Sequence, residues 1–251
     1  MEMIFGRNAV YEVLRAGRRQ PYRLLVAEGS QEKGRLSEII GLAQSKRLRL
    51  ERVHRGRLDT FDSGHQGVAL EVGEYPYSNL VDILDRAVER NEPPFILILD
   101  ILQDPQNFGA LLRTAEAVGV QGVVLPLRRT VTVTPAVVNA SSGACEYLLI
   151  VQVNLAQAIA TLKEAGVWVI GLENSPQAEN IERFRLEGPL ALVVGSEGEG
   201  LRPLVRQSCD ALLQLPMRGQ VTSLNAAVAG SVGLYFAWQA RRFAVDSNRS
   251  T

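Results

Sequence analysis

Asn107 and Arg113 stand in DPQNFGALLRTAEAVGV (104–120), a segment otherwise rich in Leu, Ala and Gly. A guanidinium beside the small residues Ala110 and Ala117 suits a phosphate or another oxygen-rich group. Pairing with Asp104 or Glu116 is the plainer alternative. Asn107 can cap a helix over 108–118, with Leu111, Leu112, Ala115 and Val118 on its apolar face. A second segment, GSEGEGLRPLV (195–205), carries glycines at 195, 198 and 200 that permit close backbone approach and positive φ. Its spacing is GxxGxG rather than the dinucleotide GxGxxG, and Glu197 and Glu199 would repel a pyrophosphate. The loop therefore suits a ligand that is neutral or cationic overall, or is a Gly-rich turn with solvated acids. The third segment, PMRGQVTSLNAAVAGSVGLYFAWQARR (216–242), clusters Thr222, Ser223 and Asn225 at a helix start. Capping needs only one of them, so the others can face a ligand. Ala226, Gly230, Gly233 and Ala237 then form a stripe of small residues that lets another backbone approach closely, within the fold or across a dimer.

The elements that must position these groups are legible as short apolar runs: FILILD (95–100), GVVLP (122–126), YLLIVQV (147–153), VWVIGL (167–172), LALVVG (190–195) and ALLQL (211–215). Segments of helical periodicity separate most of them. Continuous apolar strands alternating with helices imply an α/β domain built on a parallel sheet covered on both faces. Ligands bind beyond the carboxyl ends of such strands, which is where the three segments lie. Upstream, RNAVYEVLRAG (7–17) reads as a helix stopped by Gly17, and RLLVAEG (23–29) as a strand. KGRLSEIIGLAQSK (33–46) reads as a second helix, with strands at LRLERV (48–53) and QGVALEV (66–72). This is a small alternating α/β unit ending near Gly73. The polar, Pro-containing stretch 74–94 suits a partly helical linker.

Net charge is zero, but residues 1–73 hold 13 Lys and Arg against 9 Asp and Glu, and the remainder 14 against 18. Both histidines, His54 and His65, also lie in the basic part. The asymmetry fits either a nucleic-acid-facing module or an ordinary solvated face. Cys145 and Cys209 are 64 residues apart, so two buried free thiols in a reducing compartment are expected and a structural zinc site is not. Charges at Glu2, Arg7, Glu12 and Arg15 break any apolar signal region. Gly219–Ala240 lacks charge but is only mildly apolar, which suits a buried helix. A cytoplasmic location is expected.

DPQNFGALLRTA, VVGSEGEGL and LPMRGQVTSLNAAVA, in that order and each after a strand, resemble the three signature motifs of the SpoU (TrmH-type) RNA ribose 2′-O-methyltransferases of the SPOUT superfamily. GRNAVYEVL and GHQGVALEV resemble that family's N-terminal RNA-binding domain, similar to ribosomal protein L30e, and VTPAVVNASSGACEYL (133–148) its segment after the second strand. The resemblance spans the chain and implies an L30e-like RNA-binding domain at 1–73, a linker at 74–93 and a SPOUT methyltransferase domain at 94–251. It further implies a C-terminal deep trefoil knot, a homodimer packed through it, no metal, and S-adenosylmethionine as donor. By motif position, Gly171, Gly195, Leu215, Leu224 and Asn225 would hold that cofactor. Asn107, Arg113, Glu197, Ser223 and Asn225 would form the catalytic constellation, and Arg15, Arg18, Arg19, Arg23, Arg55 and Arg57 would meet RNA. The most similar subgroup modifies a guanosine in the peptidyl-transferase region of large-subunit ribosomal RNA, free or in an assembling subunit. A transfer RNA acceptor, a catalytically silent RNA-binding protein and a nucleotide-dependent oxidoreductase are the competing readings. The chain departs from the family at Asn225-Ala226-Ala227, where Asn-Val-Ser is common, and altered packing is the expected result.

Overall fold

A computed structural model describes residues 1–241 apart from 197, 199 and 222. Glu197, expected to be catalytic, therefore lies outside the described residues, as do Glu199 and Thr222. The backbone forms two compact units. One comprises Met1–Pro76 with Phe108–Arg113 and Thr132–Tyr147, and the other comprises Tyr77–Asn107, Thr114–Val131 and the chain from Leu148 onward.

The first unit is built on a four-stranded mixed sheet of β1 (Glu2–Phe5), β2 (Pro21–Ala27), β3 (Arg49–Val53) and β4 (Val68–Val72) in the order β1-β4-β2-β3. Helix α1 (Arg7–Ala16) buries Ala9, Val10, Val13 and Leu14, and ends where Gly17 turns left-handed at φ 63° and donates its N–H to Val13. Such a turn carries no side-chain penalty only for glycine. Helix α2 (Arg35–Ser45) connects the parallel pair β2–β3, and the short α3 (Arg55–Asp59) follows β3. The strand β1 has no counterpart among the expected elements, because four residues are too few to show a period.

The second unit carries seven strands: β5 (Phe95–Leu99), β6 (Gly122–Pro126), β7 (Leu149–Val153), β8 (Trp168–Leu172), β9 (Glu179–Asn180), β10 (Leu190–Val194) and β11 (Ala211–Gln214). They lie in the order β7-β6-β5-β10-β8-β11-β9, and every neighbouring pair is parallel. β5, β6 and β10 are buried along their whole length, the pattern of a sheet covered on both faces. The polar stretch before β5 contains α4 (Leu80–Glu89), opened by a reciprocal Asn79–Asp82 capping box. Its Ile83 joins Ile96, Val124 and Val169 in the core, where Gly122 leaves room for it. Helices α5 (Pro105–Ala117), α6 (Pro135–Ala140), α7 (Leu155–Glu164), α8 (Pro203–Ser208) and α9 (Ala226–Ala240) complete the α-helices among the described residues, and short 3-10 turns lie at Ala144–Tyr147 and Ile181–Arg183. Helix α5 passes through both units, and α6 belongs to the first. No helix is long and apolar enough to cross a membrane among the described residues.

Strand order reverses between β5 and β10: the chain proceeds outward through β6 and β7 on one side, and the later strands lie on the other. Crevices at the carboxyl ends of strands beside such a reversal are the expected ligand sites of open α/β sheets.

Candidate active site

A cleft of about 640 Å³ opens at the carboxyl ends of β8 and β10, lined by Leu172, Glu173, Val194, Gly195, Leu215, Met217, Ser223, Leu224 and Asn225 among others. Its size is that of a small-molecule site, roughly 300–1,000 Å³. The loop after β10 forms one wall. Ser196 and Gly200 exchange backbone hydrogen bonds of 3.1 and 3.2 Å, with Gly198 and Gly200 at φ 86° and 67°. Gly195 lies flat against the peptide of Gly200, so a methyl there would fall on the backbone carbonyl. Asp100, at the end of β5, anchors the far side of this loop. Its buried carboxylate accepts hydrogen bonds from the backbone N–H of Arg202 (2.8 Å) and from Arg202 Nε (2.6 Å).

The other end of the cleft is the start of α9. Asn225 caps the helix, its Oδ1 accepting from the N–H groups of Ala227 (2.9 Å) and Val228 (3.2 Å). Its Nδ2 donates to Asn107 Oδ1 at 3.1 Å. Two groups expected from motifs 118 residues apart thus touch. Asn107 does not cap α5, contrary to expectation. The helix starts earlier, with Pro105 in its first turn, and Asp104 takes the cap by accepting from the N–H groups of Gln106 and Asn107. Proline is pre-organised for that position and needs no N–H there, and a carboxylate favours the positive end of the helix dipole. Ser231 donates to Thr114 at 2.9 Å, a second tie between α9 and α5.

Of the expected cofactor residues, Gly195, Leu215, Leu224 and Asn225 line the cleft. Gly171 is buried one residue short of the lining, where Leu201, Leu212 and Cys209 occupy the space a side chain would need. Ser223 is exposed in the cleft. Arg113 is exposed on the same face of α5 as Ala110 and Ala117, as expected, with Nη1 3.4 Å from Ser142 Oγ in the first unit. The small-residue stripe is used within the fold: Ala226, Gly230, Gly233 and Ala237 are buried, and Gly233 packs against Leu172 and Leu192. Asp100 and Glu173 have no counterpart among the expected site residues. An acid ending an otherwise apolar strand was the available signal for Asp100.

The six candidate RNA-binding arginines divide. Arg19 is a correction: it is buried, with Nε 2.9 Å from Glu146 Oε1 and Nη1 2.5 Å from Glu2 Oε2, and cannot meet a polyanion. Desolvation pushes the Glu146 carboxyl above its ordinary value, while Arg19 pulls it back. Arg18 donates to the Tyr75 hydroxyl (2.9 Å) and the Pro76 carbonyl (3.0 Å). Arg23 pairs with Glu71 and Glu51, and Arg57 with Glu51 at 2.7 Å. Arg15 and Arg55 are exposed. The histidines are structural. His54 caps α3, and buried His65 accepts the Gly67 N–H at Nδ1, which leaves its proton on Nε2, facing Asp59. Both cysteines are free, but Cys209 is only partly buried, and burial pushes each thiol up to about 12. No cluster of metal-ligating side chains exists among the described residues.

Residues 94–235 match the model of the SpoU rRNA methylase family, and residues 3–78 that of the RNA 2′-O ribose methyltransferase substrate-binding domain. A putative TrmH family tRNA/rRNA methyltransferase of Bacillus subtilis, YacO, is 43% identical over 242 residues, covering 96% of each chain. Among solved structures, the SpoU methyltransferase AviRb from Streptomyces viridochromogenes in complex with AdoMet superposes with a TM-score of 0.79 at 23% identity, covering 96% of this chain and 91% of that one. The AdoMet-bound rRNA methyltransferase from Sinorhizobium meliloti gives 0.79 at 24%, covering 98% and 88%. At such identities the likeness is one of fold. With both of its parts matched and a relative similar along its whole length, the chain belongs to the SpoU family of RNA methyltransferases.

Proposed function

We propose that the protein transfers a methyl group from S-adenosylmethionine to a ribose 2′-hydroxyl of RNA, specifically a guanosine in the peptidyl-transferase region of large-subunit ribosomal RNA. The observation that carries this reading is the Asn107–Asn225 contact beside a cleft of cofactor size at the strand ends. Bound in the cleft, the cofactor supplies an electrophilic methyl on a sulfonium sulfur. The cleft fits it: apolar walls from Leu172, Val194, Leu215 and Leu224 suit a base, and Glu173, Ser223 and Asn225 offer polar contacts. Gly195, Leu215, Leu224 and Asn225 hold it, and Asn107, Arg113, Glu197, Ser223 and Asn225 form the catalytic set.

Arg113 binds an RNA phosphate and steadies the developing alkoxide. Guanidinium keeps its proton too tightly to act as the base, so a neighbouring side chain or the phosphate would take the hydroxyl proton as the O–CH₃ bond forms and the sulfur–methyl bond breaks, its electron pair staying on the sulfur. Much of the rate comes from positioning. Residues 1–73 form the L30e-like RNA-binding domain, and Arg15, Arg18, Arg23, Arg55 and Arg57 contribute. Residues 74–93 are the linker, and 94–251 the SPOUT domain, whose C-terminal part is knotted. A homodimer uses the other side of α9, where Val228 and Tyr235 stay 48% and 47% exposed on a helix apolar all round.

Methyl-labelled donor incubated with unmodified large-subunit ribosomal RNA should place label in 2′-O-methylguanosine after nuclease digestion. Label in transfer RNA alone would move the substrate, and failure to bind the donor would overturn the reading.

A further inference from the structure

Glu173 lines the cleft, yet neither the motifs nor the reaction assigns it a role. It leaves the end of β8, its N–H donating to the Leu213 carbonyl at 2.9 Å. Arg206 on α8 stands behind it, Nη2 3.2 Å from Glu173 Oε1. The same Nη2 meets Gln177 Oε1 at 2.8 Å and Ser175 Oγ at 3.4 Å, so one guanidinium holds the whole loop after β8. Oε2 lies towards the loop after β10, 3.9 Å from the place a Cβ of Gly200 would take.

The Arg206 charge offsets that of Glu173, so the pair offers little net attraction to a cation. What remains is a directional acceptor, fixed in place before any ligand arrives. A carboxylate oxygen has two lone pairs, which match two adjacent hydroxyl donors. We infer that Glu173 is the group that recognises the ribose diol of the nucleoside cofactor, and that Arg206 is its positioning residue. The inference rests on the proposed cofactor reading and extends it from the site to one part of the ligand.

Calorimetric titration of S-adenosylmethionine, S-adenosylhomocysteine and 3′-deoxy-S-adenosylhomocysteine separates the possibilities without measuring turnover. Glu173→Gln should weaken the first two ligands by the same factor, about tenfold or more, since hydrogen bonds to a charged acceptor are among the stronger ones. Loss of the 3′-hydroxyl should weaken binding to the wild-type protein and cost Glu173→Gln little further. Arg206→Gln uncovers the carboxylate charge and should raise preference for the cationic methionine form over the neutral homocysteine form. Three results would overturn the inference: selective loss of S-adenosylmethionine in Glu173→Gln, an equal hydroxyl effect in both proteins, or unchanged affinity. If the wild-type chain binds none of the three, the cofactor reading itself falls with it.

Discussion

In the first unit, charged side chains are occupied largely with one another. Arg23, Glu51 and Glu71 form an open network on the sheet, joined by Arg57 of α3, while Arg19 and Glu146 meet in the interior. In the second unit the cleft owes its shape to backbone: strand ends, the Ser196–Gly200 pair with Gly195 against the Gly200 peptide, and a capped helix start. The difference is one of tolerance. A paired charge can be replaced by another polar contact unless it is buried, whereas a wall made of main chain admits almost no substitution where a glycine lies against a peptide.

The buried pair gives the largest expected effect. Arg19→Met leaves Glu146 uncompensated and should cost about 3–5 kcal/mol of stability, read by chemical denaturation. The sign with pH is set by the carboxyl, which burial already holds above its ordinary value. Without Arg19 it rises further. A raised value contributes stability that is fully present below the ordinary carboxylate range and lost as pH climbs through the folded value. The variant should therefore regain stability on acidification. A flat pH profile would show that Glu146 is relieved in some other way.

Gly195→Ala comes next. The new methyl meets backbone that cannot rotate away, so cofactor affinity should fall at least tenfold. Gly188→Ala, where nothing lies within 4 Å of the added carbon, should change neither affinity nor stability measurably. Equal behaviour of the two variants would show that the main-chain wall does not limit what the cleft tolerates.

The smallest effect belongs to the exposed arginines. Arg55→Ala should lower the slope of log affinity for RNA against log salt by about 1. Arg57→Ala should lower it less, because Glu51 already offsets that charge. If neither slope moves, this face is not where RNA binds.

Much of this was legible in the chain. The apolar runs located the strands of the parallel sheet because burial on both faces leaves no room for polar residues. Gly17 marked a helix end because its left-handed turn has a one-residue signature. The cap of α5 was misplaced by three residues, since Asp104 and Asn107 are both good caps and only the Pro105 position separates them. The two-residue β9 has no period to detect. Arg19 read as surface because arginine usually is, and its burial depends on Glu146, far away in sequence. Glu173 was silent for the same reason, since its role depends on which loops fold together, whereas Asp100 ends an apolar strand and could have been noticed. The small-residue stripe announced close packing but not its partner, which proved to be strands of its own unit.

Asn225 performs two tasks with the two ends of a single amide: its oxygen closes the first turn of α9 and its nitrogen reaches Asn107. Aspartate, serine or threonine could serve the helix and none of them could supply the nitrogen. Glutamine would carry the same atoms one methylene too far out. A substitution here can therefore keep the start of the helix and still lose the contact with Asn107.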